Sequence, residues 1–480
     1  MESKSVWKIN EANDFKSLNR SINVDIAIIG GGITGLSCAY FLKDENFKVA
    51  VFEKNKLYSS VTARTTGKIT FLQQGLLTKI KNIYNINTAI SYYNSQKEAI
   101  NILDSIIKKE NIDCDLKKVS SYYFTNDKSK VKRIKEEKDI LERCGEEVTY
   151  NYNLPDGLNL EFGISCDNTY VFNPTKYLSS LSQIIKDKIS IYENSNVTKI
   201  DALDNHFELI VNNHKVKCKK VIIASHYPYF LFPYLMPLKC YLEKSYIGAY
   251  KDESDINFSA INEGKPTLSI RYVEDDIRYK LILTNSNNLA INSNDQKNFS
   301  VLMQGKPQYL WSNVDIITKD FMPYIGEIED NLYIATGYNT WGMTNGTLAG
   351  SIIKDIIMNK DNEYIKLFSP KRHDNLNTLI RYPLFIASSA YSFISSKLVK
   401  NKSWYKSNIE FKKINGENVG IYHDESGAYY IVKNKCPHLG CGLIFNDVEK
   451  TWDCPCHGSR FDLSGKSICG PANYDIIFKE

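Results

Sequence analysis

The sequence predicts an α/β dinucleotide-binding domain carrying an inserted antiparallel-sheet lobe, followed by a small all-β domain. Three observations carry that expectation. An apolar run over residues 24–29 flows into Gly30-Gly31-Gly32-Ile33-Thr34-Gly35 and then into a helical pattern. Residues 228–278 mix Tyr, Phe, Pro and β-branched side chains, the composition of strands rather than helices. Five of the 11 cysteines crowd into residues 436–469, four of them within two short Cys–His boxes. At 480 residues the chain is long enough for about three domains. The expected division is an N-terminal extension over 1–23, the α/β domain with its discontinuous lobe over 24–368, a connector helix over 369–404, and the all-β domain over 405–480.

The first strand (24–29), a helix over 36–42 and a second strand over 48–53 ending in Glu53 follow the order of a Rossmann-type unit. Gly30 permits the tight turn, Gly32 lets a pyrophosphate approach the backbone, and Gly35 packs helix on strand. The helix start at Ile33 and Thr34 offers N–H groups to phosphates. Glu53 is placed to accept hydrogen bonds from a ribose 2′-OH, with Lys54 beside it. Helical patterns follow over 87–109 and 128–144, and strands over 196–200, 206–211 and 220–225, with Ala224 a further expected cofactor contact. A buried strand over 332–337 leads through a turn (338–344) into a helix over 347–358, whose apolar residues recur at helical spacing. No internal repeat is present.

Sixty basic against 55 acidic side chains give a net charge of +5, too weak and dispersed for a nucleic-acid partner. Residues 1–23 lack the apolar core of a signal peptide. The uncharged stretch 382–396 is serine-rich and short of the roughly 20 apolar residues a spanning helix needs. A soluble, cytoplasmic protein without a membrane span is expected.

The two boxes are Cys436-Pro-His438-Leu-Gly-Cys441 and Cys454-Pro-Cys456-His457-Gly-Ser459. Each supplies one cysteine and one histidine, the set that a two-iron cluster with two thiolates on one iron and two imidazoles on the other requires. Two Cys and two His also make a tetrahedral zinc set. The accompanying Pro437, Gly440, Pro455, Gly458 and Ser459 favour the cluster.

These pieces resemble known families. Residues 25–358 resemble the D-amino-acid-oxidase-type FAD oxidoreductases, on the first glycine motif, the Arg64–Lys68 turn, Pro323-Tyr324-Ile325-Gly326 and the segment 337–346. The resemblance implies FAD, with Arg64, Thr65, Thr66 and Gly67 near its phosphates and the backbone at Val197 on its adenine. It also implies that Gly337, Gly342, Met343 and Thr344 present a helix N-terminus to the flavin, where a reduced flavin carries negative charge. Relatives that oxidise amino acids place an arginine where this chain has Asp315, and another where it has Thr340. An acid there would repel an α-amino acid and suit a cationic amine. Lys68, Asp315, Tyr324 and Trp341 are the pocket candidates, with Arg64 and Arg271 as further possibilities and no catalytic residue assigned. His226 reads as structural, since amine oxidation by a flavin requires mainly a neutral amine and a positioned C–H bond.

The C-terminal part resembles a Rieske [2Fe–2S] domain. That resemblance assigns Cys436 and Cys454 to the inner iron and His438 and His457 to the outer one. It favours a bridge between Cys441 and Cys456, as in cytochrome-bc1-type proteins, over two free thiols. Ser459 is retained, but Phe461 stands where high-potential relatives have a tyrosine, so a lower potential is expected. Gly470-Pro471-Ala472 is similar to the proline loop that covers such clusters. The whole chain resembles a bacterial group of FAD oxidoreductases fused to a Rieske domain. The implied function is an amine-type dehydrogenase that passes electrons from FAD to the cluster and on to an external one-electron acceptor, protein or quinone. A reductase running in the opposite direction and a non-catalytic redox sensor are the alternatives.

Overall fold

The computed structural model describes residues 5–8, 15–227, 239–274, 276–286, 307–373, 408–446, 449–472 and 474–479. The expected connector helix falls almost wholly on residues outside these, as do the stretch 382–396 and residues 228–238 of the lobe.

The first strand, Ile26–Ile29, is buried at every position and lies at the middle of a six-stranded sheet. Its neighbours are Val49–Phe52 on one side and Lys220–Ile223 on the other, both parallel to it. Ser190–Tyr192 and Leu332–Thr336 extend the parallel array, and Tyr324–Glu329 closes one edge antiparallel. Apolar residues fill the inner strands without alternation because both faces of the sheet are covered. A four-stranded sheet built on Val197–Leu203, His206–Val211 and His214–Cys218 flanks it.

Two helices pack on this framework, Ile33–Leu42 and Gly342–Ile357. The second begins five residues before the expected start at 347. Gly342 reads as part of the preceding turn, and the glycines further along the helix serve close packing. A Cβ on Gly346 would stand 2.8 Å from Ile33, and one on Gly350 would stand 2.7 Å from the Ser37 backbone.

The lobe departs further from expectation. It is a mixed nine-stranded sheet assembled from three stretches of chain, not an antiparallel sheet confined to 228–278. Lys117–Thr125 and Asn159–Val171 belong to it, and the former runs parallel to Phe258–Asn262. Parallel pairing needs a long crossover, so partners far apart in sequence are its natural product. The remaining core strands are Cys240–Lys251, Ser269–Glu274, Arg278–Ser286 and Tyr309–Thr318. The N-terminal segment is integral rather than appended. Trp7 is buried against Ile247, Leu281 and Trp311, and Ile22–Asn23 pairs with the flanking sheet.

The C-terminal domain contains a three-stranded meander, Ile409–Ile414, Glu417–His423 and Tyr429–Lys433. A second sheet of four short strands, Ile444–Asn446, Thr451–Asp453, Arg460–Phe461 and Ser467–Cys469, was not anticipated from sequence. The two boxes lie in the loops that precede its first strand and link its second to its third.

Candidate functional site

A cavity opens above the carboxyl ends of Ile26–Ile29 and Val49–Phe52. That is where ligands bind in open α/β sheets. Gly30 turns there with φ of +109°, and a Cβ on it would stand 2.6 Å from the Ala224 carbonyl oxygen. Gly35 packs against the Gly30 carbonyl, leaving no space for a side chain. The helix Ile33–Leu42 has Gly32 as N-cap and no side-chain cap, so its first N–H groups turn towards the cavity. Only Ile33 N–H meets a side chain, Thr62 Oγ1, at 3.3 Å.

Glu53 lines the cavity and accepts hydrogen bonds from Gly31 N–H at 2.7 Å and Asn55 N–H at 2.9 Å. Burial raises its pKa, and those two N–H groups offset part of the rise. Gly30, Gly32, Ile33, Thr34, Glu53, Lys54, Thr65, Val197, Ala224, Gly342 and Met343 all line this one space, with Asp315, Thr340 and His226. A cavity lined by an acid and by two helix starts without side-chain caps fits a dinucleotide.

Other expected residues lie elsewhere, each for a definable reason. The Arg64 guanidinium is drawn to Glu449 at 2.9 Å. The Thr66 carbonyl is taken by Arg271, whose guanidinium also packs over Gly67 and bonds Phe172 O at 2.8 Å. Lys68 donates to Ala260 O at 2.8 Å and Ser269 Oγ at 2.6 Å inside the lobe, where burial lowers its pKa to about 7. The Arg372 guanidinium lies 3.9 Å from the centroid of the Tyr324 ring. Trp341 packs on the helical core, and Thr344 Oγ1 donates to Gln96 at 2.7 Å. Gly337, at φ +73°, backs onto Thr318. Lys68, Tyr324 and Trp341 are therefore not cavity residues. Asp315 is the one pocket candidate that faces it.

Asp315 sits directly across from Glu243 in the antiparallel pair of Cys240–Lys251 and Tyr309–Thr318. Burial, then the Glu243 charge, pushes Asp315 up to about 7. Burial likewise raises Glu243. His226 takes a left-handed turn, and its Nε2 lies 2.9 Å from Val314 O. Burial lowers its pKa to about 4, so it stays neutral at physiological pH.

In the C-terminal domain the two boxes converge. The rings of His438 and His457 lie 4.8 Å apart at 88°, and the Nδ1 atom of each is buried with no hydrogen-bond partner. Burial lowers the pKa of both imidazoles, that of His457 to about 4. The Cys436 and Cys454 thiols share a hydrogen bond that lowers Cys436 to about 7 and raises Cys454. N–H groups of His438 and Leu439 and the Ser459 hydroxyl also reach Cys436. Two buried nitrogens without partners among the described residues, carried by the same two boxes as the paired thiols, supply the donor set of a histidine-ligated two-iron cluster. Cys441 and Cys456 are bridged, with Cα atoms 6.7 Å apart. The sulfurs of Cys441, Cys454 and Cys456 lie within 4.8 Å of one another, and the bridge leaves only Cys454 of the three as a thiol.

The two sites share a seam that sequence does not reveal. His457 packs against Tyr227, ring centroids 5.9 Å apart, and Tyr227 follows His226 of the cavity wall. A second crevice joins them, lined by His226, Asn313, His457 and Gly470 among others. The strand Tyr309–Thr318 stands between. Asn313 and Asp315 line the cavity, while Ser312 and Val314 meet Arg460 and Gly458 of the C-terminal domain. Buried charges clamp the seam. Lys244 donates to Asp453 at 2.5 Å, Arg460 contacts Asp453 at 3.3 Å, and Glu449 bridges Arg460, Arg64 and Ser312. Ile468, Cys469 and Gly470 of the C-terminal domain also line the cavity. Ser195 and Asn196, beside the anticipated Val197, were within reach of sequence reasoning, whereas these interdomain contacts were not.

Among the described residues, no helix is long and apolar enough to cross a membrane. Residues 25–356 match the model of the FAD dependent oxidoreductase family (DAO), and residues 396–477 match that of the Rieske [2Fe-2S] domain. The chain is 31% identical over 489 aligned residues to YhfW of Bacillus subtilis (strain 168), named for a Rieske 2Fe-2S iron-sulfur protein, covering 98% of this chain and 96% of that one. It is 25% identical to the gamma-glutamylputrescine oxidoreductase of Escherichia coli (strain K12), over 81% of this chain and 96% of the relative. The fold is similar to glycine oxidase from Geobacillus kaustophilus, with a TM-score of 0.62 at 16% identity, covering 74% of this chain and all of that one. With a glycine-turned cavity in one domain and paired Cys–His boxes in the other, the chain belongs to the FAD dependent oxidoreductases of the DAO family and carries a C-terminal Rieske [2Fe-2S] domain.

Proposed function

We propose that the protein is an amine dehydrogenase whose electrons leave the substrate in the cavity, cross the seam to the cluster domain and pass to an external one-electron acceptor. Bound in the cavity and between the boxes, FAD supplies a two-electron acceptor and the Rieske centre a one-electron carrier. In this reading Gly30, Gly32, the start of the helix Ile33–Leu42 and Glu53 hold the dinucleotide, and Cys436, Cys454, His438 and His457 hold the two irons.

The observation that carries the reading is the packing of His457 on Tyr227. An imidazole of the ligand set faces the flavin domain, and the residue before Tyr227 lines the cavity. The substrate class rests on Asp315 and Glu243. Two adjacent buried acids repel each other unless one is protonated or a cation lies close. An ammonium group relieves that repulsion, whereas an α-carboxylate adds to it. The Escherichia coli relative is named for gamma-glutamylputrescine, an amine. His226, neutral and tied to Val314 O, orients this wall and needs no proton-transfer role.

The test is anaerobic mixing of the holoprotein with mono- and diamines and with α-amino acids, followed by flavin absorbance and cluster EPR. Flavin bleaching by an amine, followed by cluster reduction, is expected. Reduction of the flavin only through a reduced protein donor overturns the reading in favour of a reductase. Failure of every donor favours a sensor.

A further inference from the structure

The cavity that receives the dinucleotide is not closed by its own domain. Glu53 marks the side at which a ribose hydroxyl meets the acid of a Rossmann-type unit. Ile468, Cys469 and Gly470 of the cluster domain line the same cavity. The turn is fastened in place by the residues after Glu53. Lys54 Nζ donates to Ser467 Oγ at 2.7 Å and to Ala472 O at 2.6 Å, and Asn55 Nδ2 donates to Ile468 O at 3.0 Å. Burial lowers the Lys54 pKa, as befits an amine enclosed between two domains.

The opposite side of the same turn rests on the second cluster box. Ala472 N–H donates to Ser459 Oγ at 3.1 Å, and that hydroxyl also reaches the Cys436 thiol. Gly470, at φ +98°, lies so close that a Cβ would stand 2.5 Å from Ser459 Cα and 2.8 Å from Gly458 O. Gly458 follows the expected ligand His457 directly. One six-residue turn thus has the cavity on one side and the cluster box on the other.

We propose that Ile468, Cys469 and Gly470 are part of the FAD site, enclosing its adenosine half, and that occupancy of the cluster and affinity for FAD are thereby linked. The inference rests on FAD occupying the cavity and is independent of the direction of electron flow. Irons held by His457 and Cys454 fix the box on which the turn leans, and a fixed turn is a preformed wall. Without the cluster the wall must be ordered when FAD binds, and affinity falls accordingly. The linkage is reciprocal, so FAD retains the cluster by the same factor by which the cluster tightens FAD.

Two measurements on the full chain test this. The first is alkylation of Cys469 by iodoacetamide in deflavinated, cluster-loaded protein, read peptide by peptide with and without FAD. Cys469 is half-buried and unbridged, and Cys144, also half-buried, is remote from the cavity and serves as internal reference. FAD is expected to slow Cys469 labelling at least about fivefold and leave Cys144 unchanged. An unchanged Cys469 rate overturns the assignment of the wall. The second is the FAD dissociation constant, by quenching of flavin fluorescence, for cluster-loaded protein and for the Cys454→Ser chain. The expected weakening without the cluster is about tenfold, within the usual span of couplings between sites. Asn55→Ala, which frees the turn while sparing the cluster ligands, is expected to bring the loaded protein towards the cluster-free value. Equal constants with and without cluster overturn the linkage. A chain that binds no FAD at all overturns the cofactor assignment itself, which distinguishes the two failures.

Discussion

Replacing Lys244 by Met tests whether the clamp between the domains contributes to stability. Lys244 is 1% exposed and donates to Asp453 at 2.5 Å. Methionine fills a similar volume without the charge, leaving Asp453 buried with Arg460 at 3.3 Å, Thr451 Oγ1 at 2.8 Å and Asn446 Nδ2 at 3.1 Å. Removing one partner of a buried ion pair costs about 3–5 kcal/mol when the other is stranded. Because three partners remain, the expected loss is nearer that of one charged hydrogen bond, about 2–3 kcal/mol. Burial would raise the Asp453 carboxyl, but the Lys244 and Arg460 charges outweigh it and hold the group well below the usual carboxylate range. A depressed folded pKa gives stability that is present above the unfolded value near 4 and is lost as pH falls below it. The difference between Lys244→Met and wild type is therefore largest at neutral pH and narrows below about pH 4. The assay is urea unfolding of the holoprotein, followed by the visible circular dichroism of the cluster, in a double-mutant cycle with Asp453→Asn. Coincident midpoints at pH 7, or a coupling below about 0.5 kcal/mol, would refute the reasoning.

Cys441→Ser opens a bridge that spans a sequence separation of 15 residues, a closure of about 3 kcal/mol in the chain-entropy account. The cluster should be lost faster to a chelator, and equal lifetimes would show the bridge to be idle. Phe461→Tyr places a hydroxyl where the buried ring has none. A new hydrogen bond of about 1 kcal/mol to a cluster sulfur corresponds to about 40 mV for one electron, at roughly 59 mV per tenfold. Redox titration should show a rise, and an unchanged potential contradicts this. With Asp315 pushed up to about 7, first by burial and then by Glu243, its carboxylate forms as pH rises through neutrality. The kcat/KM for a cationic amine should climb over that window. Asp315→Asn should flatten the climb and lower the alkaline plateau on the order of tenfold. A profile indifferent to Asp315→Asn would count against its role.

The parts legible in sequence were those whose chemistry is local. A strand, a glycine turn, a helix and an acid within 30 residues define their own geometry, and so do boxes whose ligands are two or three residues apart. Departures arose where partners are distant. Lys117–Thr125 alternates buried and half-buried positions over much of its length, but its pairing with the distant Phe258–Asn262 is what ties it to the rest of the lobe. Lys68 and Arg64 were legible as polar residues near a phosphate turn. Their actual partners, Ser269 and Glu449, are some 200 and 385 residues away. The helix Gly342–Ile357 hid its first turn because Gly342 and Gly346 look like loop residues until the helix that Gly346 packs against is known.

The strand Tyr309–Thr318 has a consequence for how such a chain can change. Its odd-numbered side chains Asn313 and Asp315 line the cavity, and its even-numbered Ser312 and Val314 meet the C-terminal domain. Point substitutions on one parity can retune substrate choice while the other parity is left alone. A single inserted or deleted residue exchanges the two sets and spoils both at once. Selection can thus rewrite this strand letter by letter, but never by shifting its frame.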